Sequence, residues 1–335
     1  MKIFNIYIIK KSFLYSLFIL IVFGLLDSTF TLISELEHIS EKYTFFEVLS
    51  YVISSMPHRL IDFVEGACLL GVMISLGISH QEGNLNVLRS AGFSPFKIIS
   101  ISSLGALLLV IPILILDDLS LRKTYLDAQI NKNILTGKEI DKKDINWIRH
   151  ENSFLSYNNI INNKIFNPKL IKIVKKDQIV SIKSSVAEIR DNTIIFDNNK
   201  SEYFELPMRA KVSYQSIDHE GISKIALYRS YFSSSTIKED ILFKAHLDKV
   251  FFKTIFLPFS IFILITYFGS LIFTSLRDSN LGIRITVAVF GAFIYKLLQD
   301  LSIGIFISYN LPMLFGVILP AMILALLSLN AYRKI

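Results

Sequence analysis

The chain holds a single cysteine, Cys68, in 335 residues, so neither an internal disulfide nor a thiolate metal site can be built. Its neighbours Gly66, Ala67, Leu69 and Leu70 mark Cys68 as a small buried residue within an apolar run. Charge is also scarce: charged residues make up 19% against 52% hydrophobic, too little for an ordinary soluble protein of this length. No Gly-x-x-x-x-Gly-Lys-Ser/Thr loop occurs, since Gly137-Lys138 lacks both the earlier glycine and a following hydroxyl residue. The chain itself is therefore not expected to bind ATP. His38, His58, His80, His150, His219 and His246 show no His-x-x-x-His or His-Glu-x-x-His spacing, which argues against zinc. No Gly-x-Ser-x-Gly elbow is present, and neither enzymatic chemistry, a cofactor nor a nucleic-acid partner is expected.

What is abundant is apolar sequence. Runs at 12–34, 60–80, 97–117, 249–275, 284–308 and 311–331 each approach the ~20 residues that cross a bilayer as a helix. The expected fold is a polytopic α-helical membrane protein, with six transmembrane helices split three and three around a polar insert. The first run is too long for the apolar part of a cleaved signal and lacks a small-x-small site before Glu35, so it is expected to remain as span one. Lys2, Lys10 and Lys11, then Arg89 and Lys97, then Arg277 and Arg284, then Arg333 and Lys334 all fall on one side if there are six spans. That places both termini in the cytoplasm and the insert, about 118–246, on the outer side. This topology explains most of the net charge of +7, although Lys138, Lys142, Lys143, Lys172, Lys175 and Lys176 in the insert suit either a solvated surface or an anionic partner.

Inside the insert, Ile145–Ile148, Leu170–Val174, Ile179–Ile182, Thr193–Phe196 and Ala210–Tyr214 are short and β-branched, and read as strands. Asn158-Asn159, Asn162-Asn163, Lys176-Asp177, Asp191-Asn192 and Asn198-Asn199 supply turns between them, the spacing of an all-β sandwich or open barrel.

Between spans one and two, Phe45, Val48, Leu49, Val52, Ile53 and Met56 form a helical stripe opposite Glu47, Ser50 and Ser54. The segment, about 42–56, is either a helix lying at the outer membrane surface or a seventh helix packed on the bundle. Pro57 is expected to break it before span two. Between spans two and three, Leu85, Leu88 and Ala91 or Gly92 recur at helical spacing beside Arg89, and Gly92 with Ser94-Pro95 ends the helix. This stretch, about 82–94, reads as a docking element for a cytosolic partner.

Ionisable residues also stand at membrane depth: Asp27 in span one, Arg59, Asp62 and Glu65 at the start of span two, Lys296 and Asp300 in span five. A charge at the bilayer centre costs on the order of 2.5–3.5 kcal/mol on insertion scales and needs a partner or a polar cavity. Arg59, Asp62 and Glu65 can reach the interface. Either Lys296 and Asp300, four apart, pair with each other, or Lys296 and Asp27 face a cavity for a charged amphiphile.

Pro57 followed by Leu69-Leu70-Gly71 and Leu76-Gly77, the run Val87-Leu88-Arg89-Ser90-Ala91-Gly92-Phe93-Ser94, Trp147-Ile148-Arg149, Arg277-Asp278 with Gly282, and Pro320 together resemble the LptF/LptG family of lipopolysaccharide-export permeases, and within it LptG more than LptF. The resemblance spans nearly the whole chain. It implies a β-jellyroll-like periplasmic domain between two sets of three spans in the bacterial inner membrane. It also implies an ABC exporter in which a paralogous six-span permease, a cytosolic LptB-like ATPase dimer that uses the ATP, a bitopic LptC-like protein and a periplasmic LptA-like bridge work on lipopolysaccharide. The family's coupling helix maps onto Glu82, Asn84, Leu85, Leu88, Arg89 and Gly92; the membrane-depth charges Asp27, Lys296 and Asp300, with Thr31, are the substrate-cavity candidates. Two positions depart from the pattern. Asn84 stands where members carry an acidic residue five positions before the coupling-helix arginine, so either Glu82 substitutes from a shifted helix start or the contact is neutral. Thr31 stands where a basic residue is common. An ABC permease for another lipid, a lipoprotein or a peptide, and a membrane-anchored assembly or sensor protein, are the alternative readings. The sensor reading gives no reason for a helical stripe beside Arg89.

Overall fold

A computed structural model describes residues 2–136, 146–150, 153–157, 159–161, 164–166, 168–175, 178–184, 186–190, 193–196, 203–205, 241–277 and 279–333. Among them, α1 (Lys2–Leu36), α2 (Phe45–Arg59), α3 (Val64–Gln81), α4 (Asn84–Ser90), α5 (Pro95–Leu116) and α6 (Arg122–Thr136) precede nine strands. Helices α7 (Ile241–Phe273), α8 (Leu281–Ser308) and α9 (Met313–Tyr332) follow. Among the described residues, six helical runs are long and apolar enough to cross a membrane: Phe4–Leu36, Phe45–Gln81, Pro95–Asn133, Asp248–Phe273, Leu281–Ser308 and Met313–Tyr332. One compact unit holds Met1–Glu35, Val52–Tyr125 and Ile222–Ile335, and a second holds Leu36–Tyr51 and Leu126–Gly221.

The helical unit is built around α3. Cys68, Leu69, Val72, Met73 and Leu76 are fully buried in a core shared with Ile98, Ile99 and Val110 of α5 and with Ile261, Leu264 and Ile265 of α7. Helix α1 packs closely because two glycines admit it. A Cβ at Gly71 would overlap the backbone of Ser16, and one at Gly105 would meet the carbonyl of Ile9. In lipid, where apolar surface gains little by helix association, such close approach and interhelical hydrogen bonds drive packing; Ser12 Oγ donates to Ser75 Oγ at 3.2 Å across the same seam.

Local chemistry sets the helix ends. Ser94 Oγ accepts from the Lys97 amide at 3.3 Å with Pro95 in the first turn, and Asn280 Oδ1 accepts from the Ile283 amide at 3.0 Å. Helix α8 stops where Asn310 takes a left-handed φ of 52°, with Leu311 N–H bonded to Phe306 O at 2.9 Å and Pro312 next in line.

In the second unit, β1 (Asn146–His150), β2 (Ser153–Tyr157), β5 (Lys169–Lys175) and β6 (Gln178–Lys183) form one antiparallel sheet in the order β1-β2-β5-β6. Strands β3 (Asn159–Ile161), β4 (Lys164–Phe166), β7 (Val186–Arg190), β8 (Thr193–Phe196) and β9 (Tyr203–Glu205) form another in that order. Leu155, Tyr157 and Leu170 from the first sheet and Ile165, Ala187, Ile194, Phe196 and Phe204 from the second share one buried cluster, so the two sheets close on a common apolar interior. The anticipated strands near 145–148, 170–174, 179–182 and 193–196 coincide with β1, β5, β6 and β8. The anticipated strand at 210–214 lies outside the described residues. The anticipated turns at Asn162-Asn163, Lys176-Asp177 and Asp191-Asn192 lie outside the described residues.

Two expectations are corrected. The insert does not begin as β-structure at 118: helix continues through a π-helical turn, Asp117–Leu121, into α6, and among the described residues the first strand is Asn146–His150 and helix is present from Ile241, before the expected boundary at 246. Asp117 looked like the polar end of a span, but it is buried between Arg122 and His58 and so does not stop the helix. Pro57 does not end α2, which runs on to Arg59; the irregularity is a 3₁₀ turn at Leu60–Phe63 leading directly into α3. Proline inside long membrane helices is tolerated because neighbouring groups satisfy the freed carbonyl.

Candidate functional site

At one end of the helical unit the short connections carrying the basic residues converge. Lys11 of α1 bonds Glu82 after α3 at 2.9 Å, Arg284 of α8 bonds the carbonyl of Gly77 at 3.1 Å, and the rings of Phe96 and Tyr332 lie 5.3 Å apart. Helix α4 sits at this end between two glycines in left-handed conformation, Gly83 with φ of 77° and Gly92 with φ of 85°. Only glycine adopts that region without strain, so both ends of α4 are set by residues that cannot be exchanged freely. The C-terminal turn closes by a Schellman motif: Phe93 N–H bonds Leu88 O and Gly92 N–H bonds Arg89 O, both at 3.0 Å. Buried Phe93 and Leu88 supply the apolar partners expected of that motif.

The stripe on α4 is therefore an anchor. Leu85 and Leu88 are 1% and 2% exposed and belong to the main core, so they hold α4 to the bundle and offer nothing to a partner. This corrects their expected place in a docking surface: a helix only seven residues long has no stability of its own and must bury its apolar face. The outward face is Asn86, Val87, Arg89 and Ser90, with Val87 57% exposed. Arg89 has no hydrogen-bond or ion-pair partner for its side chain among the described residues. Glu82 is shared between Lys11 and Asn84, whose Nδ2 donates to the same Oε2 at 2.8 Å.

At the opposite end, the membrane-depth charges find partners the spacing did not suggest. Asp27 pairs with Arg59 at 3.0 Å, joining α1 to the end of α2. Lys296 donates to the backbone carbonyl of Asp62 at 2.9 Å, and the Lys253 and Lys296 ammonium groups each lie 3.9 Å from Asp62 Oδ1. Lys296 thus turns toward α3 and not to Asp300, one turn along its own helix, because Asp62 offers a carbonyl and a carboxylate together. Asp300 lines a separate open groove with Leu297, Leu301, Gly304 and Tyr309. The hydroxyl of Thr31 is spent on the carbonyl of Asp27 at 2.9 Å within its own helix. Of the expected cavity residues, then, Asp27 contacts the end of α2 and Lys296 the turn that follows it, while Thr31 and Asp300 are not brought into that cluster. The two least buried spans are the ones these residues come from: 17% of the apolar window of α1 and 22% of that of α8 is buried, against 61% for the run containing α3.

Residues 6–334 match the family described as Lipopolysaccharide export system permease LptF/LptG. The chain belongs to this family. It is 22% identical over 303 residues to the lipopolysaccharide export system permease protein LptG of Haemophilus influenzae, covering 84% of each chain. As an LptF/LptG permease the protein is a multi-pass inner-membrane component of lipopolysaccharide export, and the family is one of permease subunits and not of ATPases.

Two clusters in this LptF/LptG chain escaped sequence reasoning. Asp117, 1% exposed, accepts from Arg122 Nη2 at 2.7 Å and lies 2.6 Å from His58 Nδ1, while the His58 ring stacks near Tyr125 with centroids 4.7 Å apart. The triad fastens the end of α2 to the π-helical turn after α5, and π turns commonly mark functional positions. The signal available was Asp117 five residues before Arg122, but nothing in the spacing points to His58. The second cluster is Arg284, fully buried and without a carboxylate partner among the described residues.

Proposed function

We propose that this chain is the transmembrane half of an ABC exporter, in which the outward face of α4 docks a separate cytosolic ATPase and the exposed sides of α1 and α8 admit lipopolysaccharide laterally. The observation that carries this is α4 itself: a helix too short to stand alone, anchored by Leu85 and Leu88, bracketed by two left-handed glycines, and presenting exposed Val87 and Arg89 on the end where the basic connections meet. Basic short connections face the cytoplasm, which supports cytoplasmic termini and a periplasmic β-domain. Glu82, held by Lys11 at the rim of α4, is the acidic residue placed to meet the ATPase in lieu of Asn84.

On the other side, Lys296, Lys253 and Arg59 are cations around a single short turn, and Arg59 Nε is buried with no acceptor among the described residues. A lipid bearing phosphates would exchange with Asp62 for the two lysines. Closure of the ATPase on nucleotide would then narrow the space between α1 and α8 and drive the lipid upward, with acyl chains passing along the apolar interior of the β-domain. The partners that complete this scheme are a paralogous six-span permease against α1 and α8, a bitopic LptC-like protein and an LptA-like bridge. The Haemophilus influenzae relative favours the LptG side of that pairing.

Affinity purification of the tagged chain from its native membranes in mild detergent, with mass spectrometry of proteins and lipids, tests the scheme. Recovery of a Walker-motif ATPase, a second six-span permease and lipopolysaccharide is the expected result. A different co-purifying lipid or lipoprotein would move the substrate assignment. Recovery of the chain alone, or with an outer-membrane assembly factor, would overturn the exporter reading.

A further inference from the structure

Arg284 is a buried cation, 1% exposed, whose partners among the described residues include no carboxylate. Its guanidinium reaches across two helix ends at once. Nη1 donates to Gly77 O in the last turns of α3 at 3.1 Å; Nε and Nη2 donate to Leu276 O at 3.2 and 3.1 Å, and Nη2 to Arg277 O at 2.9 Å, in the turn after α7. Nη2 also lies 3.3 Å from His80 Nδ1. Carbonyls at helix C-termini carry partial negative charge, which is what neutralises the cation here. Gly77 makes the approach possible, because a Cβ there would stand 2.8 Å from Leu281 Cδ1 and 3.4 Å from Arg284 Cδ.

The position of this clamp decides its consequence. His80 is the residue that joins it to α4: its carbonyl accepts the amide of Gly83 at 3.0 Å, and Gly83 O in turn accepts the amides of Asn86 and Val87 that open α4. A displacement of α4 about the Gly83 hinge is therefore delivered to the last turn of α3. Arg284 binds that turn to the start of α8, the weakly buried span carrying Lys296.

We propose that Arg284 is the positioning residue that passes movement of α4 into α8, and so ties ATP-driven motion at the docking helix to the lipid-facing span. The inference rests on the reading of α4 as the ATPase-docking element. Lysine would keep the charge but replace a planar fork by a point donor, which can satisfy one helix end and not both. Charge burial and folding would then survive while the linkage is cut.

The test uses the complex purified with its ATPase and reconstituted with lipopolysaccharide. Spin labels are placed at Phe96→Cys on α5 and Phe293→Cys on α8, both exposed, with native Cys68 buried and unreactive. In wild type, trapping the ATPase with nucleotide changes the α5–α8 distance. In Arg284→Lys the same ATPase is retained and hydrolyses ATP, but the distance change disappears and lipid moved per ATP falls at least ~5-fold, the lower range for coupling between sites. Arg284→Met shows the same uncoupling if it folds, and size-exclusion in detergent reports whether it does; the lysine variant decides the matter if it does not. Wild-type distance change and lipid yield in Arg284→Lys would overturn the inference and leave the docking reading intact. Failure of the wild-type chain to retain any ATPase would remove the docking reading, and with it this one.

Discussion

Lys11 Nζ lies 2.9 Å from Glu82 Oε2, joining the first helix to the residue just ahead of the docking helix. Glu82 is nearly half exposed, so as a stabilising pair this contact is worth at most ~1 kcal/mol. Its interest is positional. If Glu82 serves only to hold α1, exchanging the two charges in Lys11→Glu/Glu82→Lys restores lipid export lost in Glu82→Lys. If Glu82 meets the ATPase, the double exchange does not restore export, and ATPase co-purification stays low. We expect the second result.

The two faces of α4 should separate docking from folding. Arg89→Glu on the outward face is expected to abolish ATPase recovery while leaving chain yield and detergent melting unchanged. Leu88→Ala on the inward face removes a core side chain, at a cost of roughly 2–5 kcal/mol, and should lower the melting temperature itself. Loss of ATPase with Leu88→Ala but not with Arg89→Glu, measured by pull-down, would reverse the assignment of the faces.

Gly92 stands at φ of 85° with open space around its Cβ direction, so Gly92→Val meets no clash but must adopt a left-handed backbone. The strain is about 1–2 kcal/mol. We expect a modest loss of thermal stability and weakened ATPase retention, with Gly92→Asn milder than Gly92→Val in both.

Asp117 is buried between Arg122 and His58. Asp117→Ala breaks the buried ion pair with Arg122, which typically costs about 3–5 kcal/mol, and melting of the purified chain should show it. The double substitution Asp117→Ala/Arg122→Met removes both charges and is expected to recover a large part of the loss. Equal instability of the double variant would mean that the triad acts through packing and not charge.

Lys296 and Lys253 share Asp62. If they receive lipid phosphates, Lys296→Glu should reduce lipopolysaccharide recovered with the purified chain by about fivefold or more, the weight of one charge-assisted contact. Unchanged lipid recovery and growth would end the phosphate-contact assignment. Thr31→Ala, whose hydroxyl is satisfied within its own helix, is expected to change neither.

Much of this organisation was legible in local pattern. Six apolar runs and an insert of short β-branched segments separated by Asn and Asp turns are period and composition signals, and they survive any arrangement of the elements. The stop at Gly92 and the start at Ser94-Pro95 were legible for the same reason: a Schellman turn and a serine cap each involve only neighbours within a few residues. The stripe of Leu85 and Leu88 was visible, but its direction was not, since spacing reveals a face without revealing what lies against it. That the helix continues past Asp117 was not legible, because hydropathy registers Asp117 as polar, whereas its partners His58 and Arg122 make it internal.

By itself the sequence determined that this is a membrane protein of six spans with an extramembrane β-domain, because hydrophobic length and strand alternation are properties of contiguous residues. Tertiary structure alone decided which charges meet: Asp27 with Arg59, Lys296 with Asp62 and not Asp300, and Arg284 with the carbonyls of two other helix ends. Those contacts join residues up to 234 positions apart, and in a medium that stabilises no lone charge the partner is chosen by which helix stands alongside, a matter of packing that spacing along one helix does not encode.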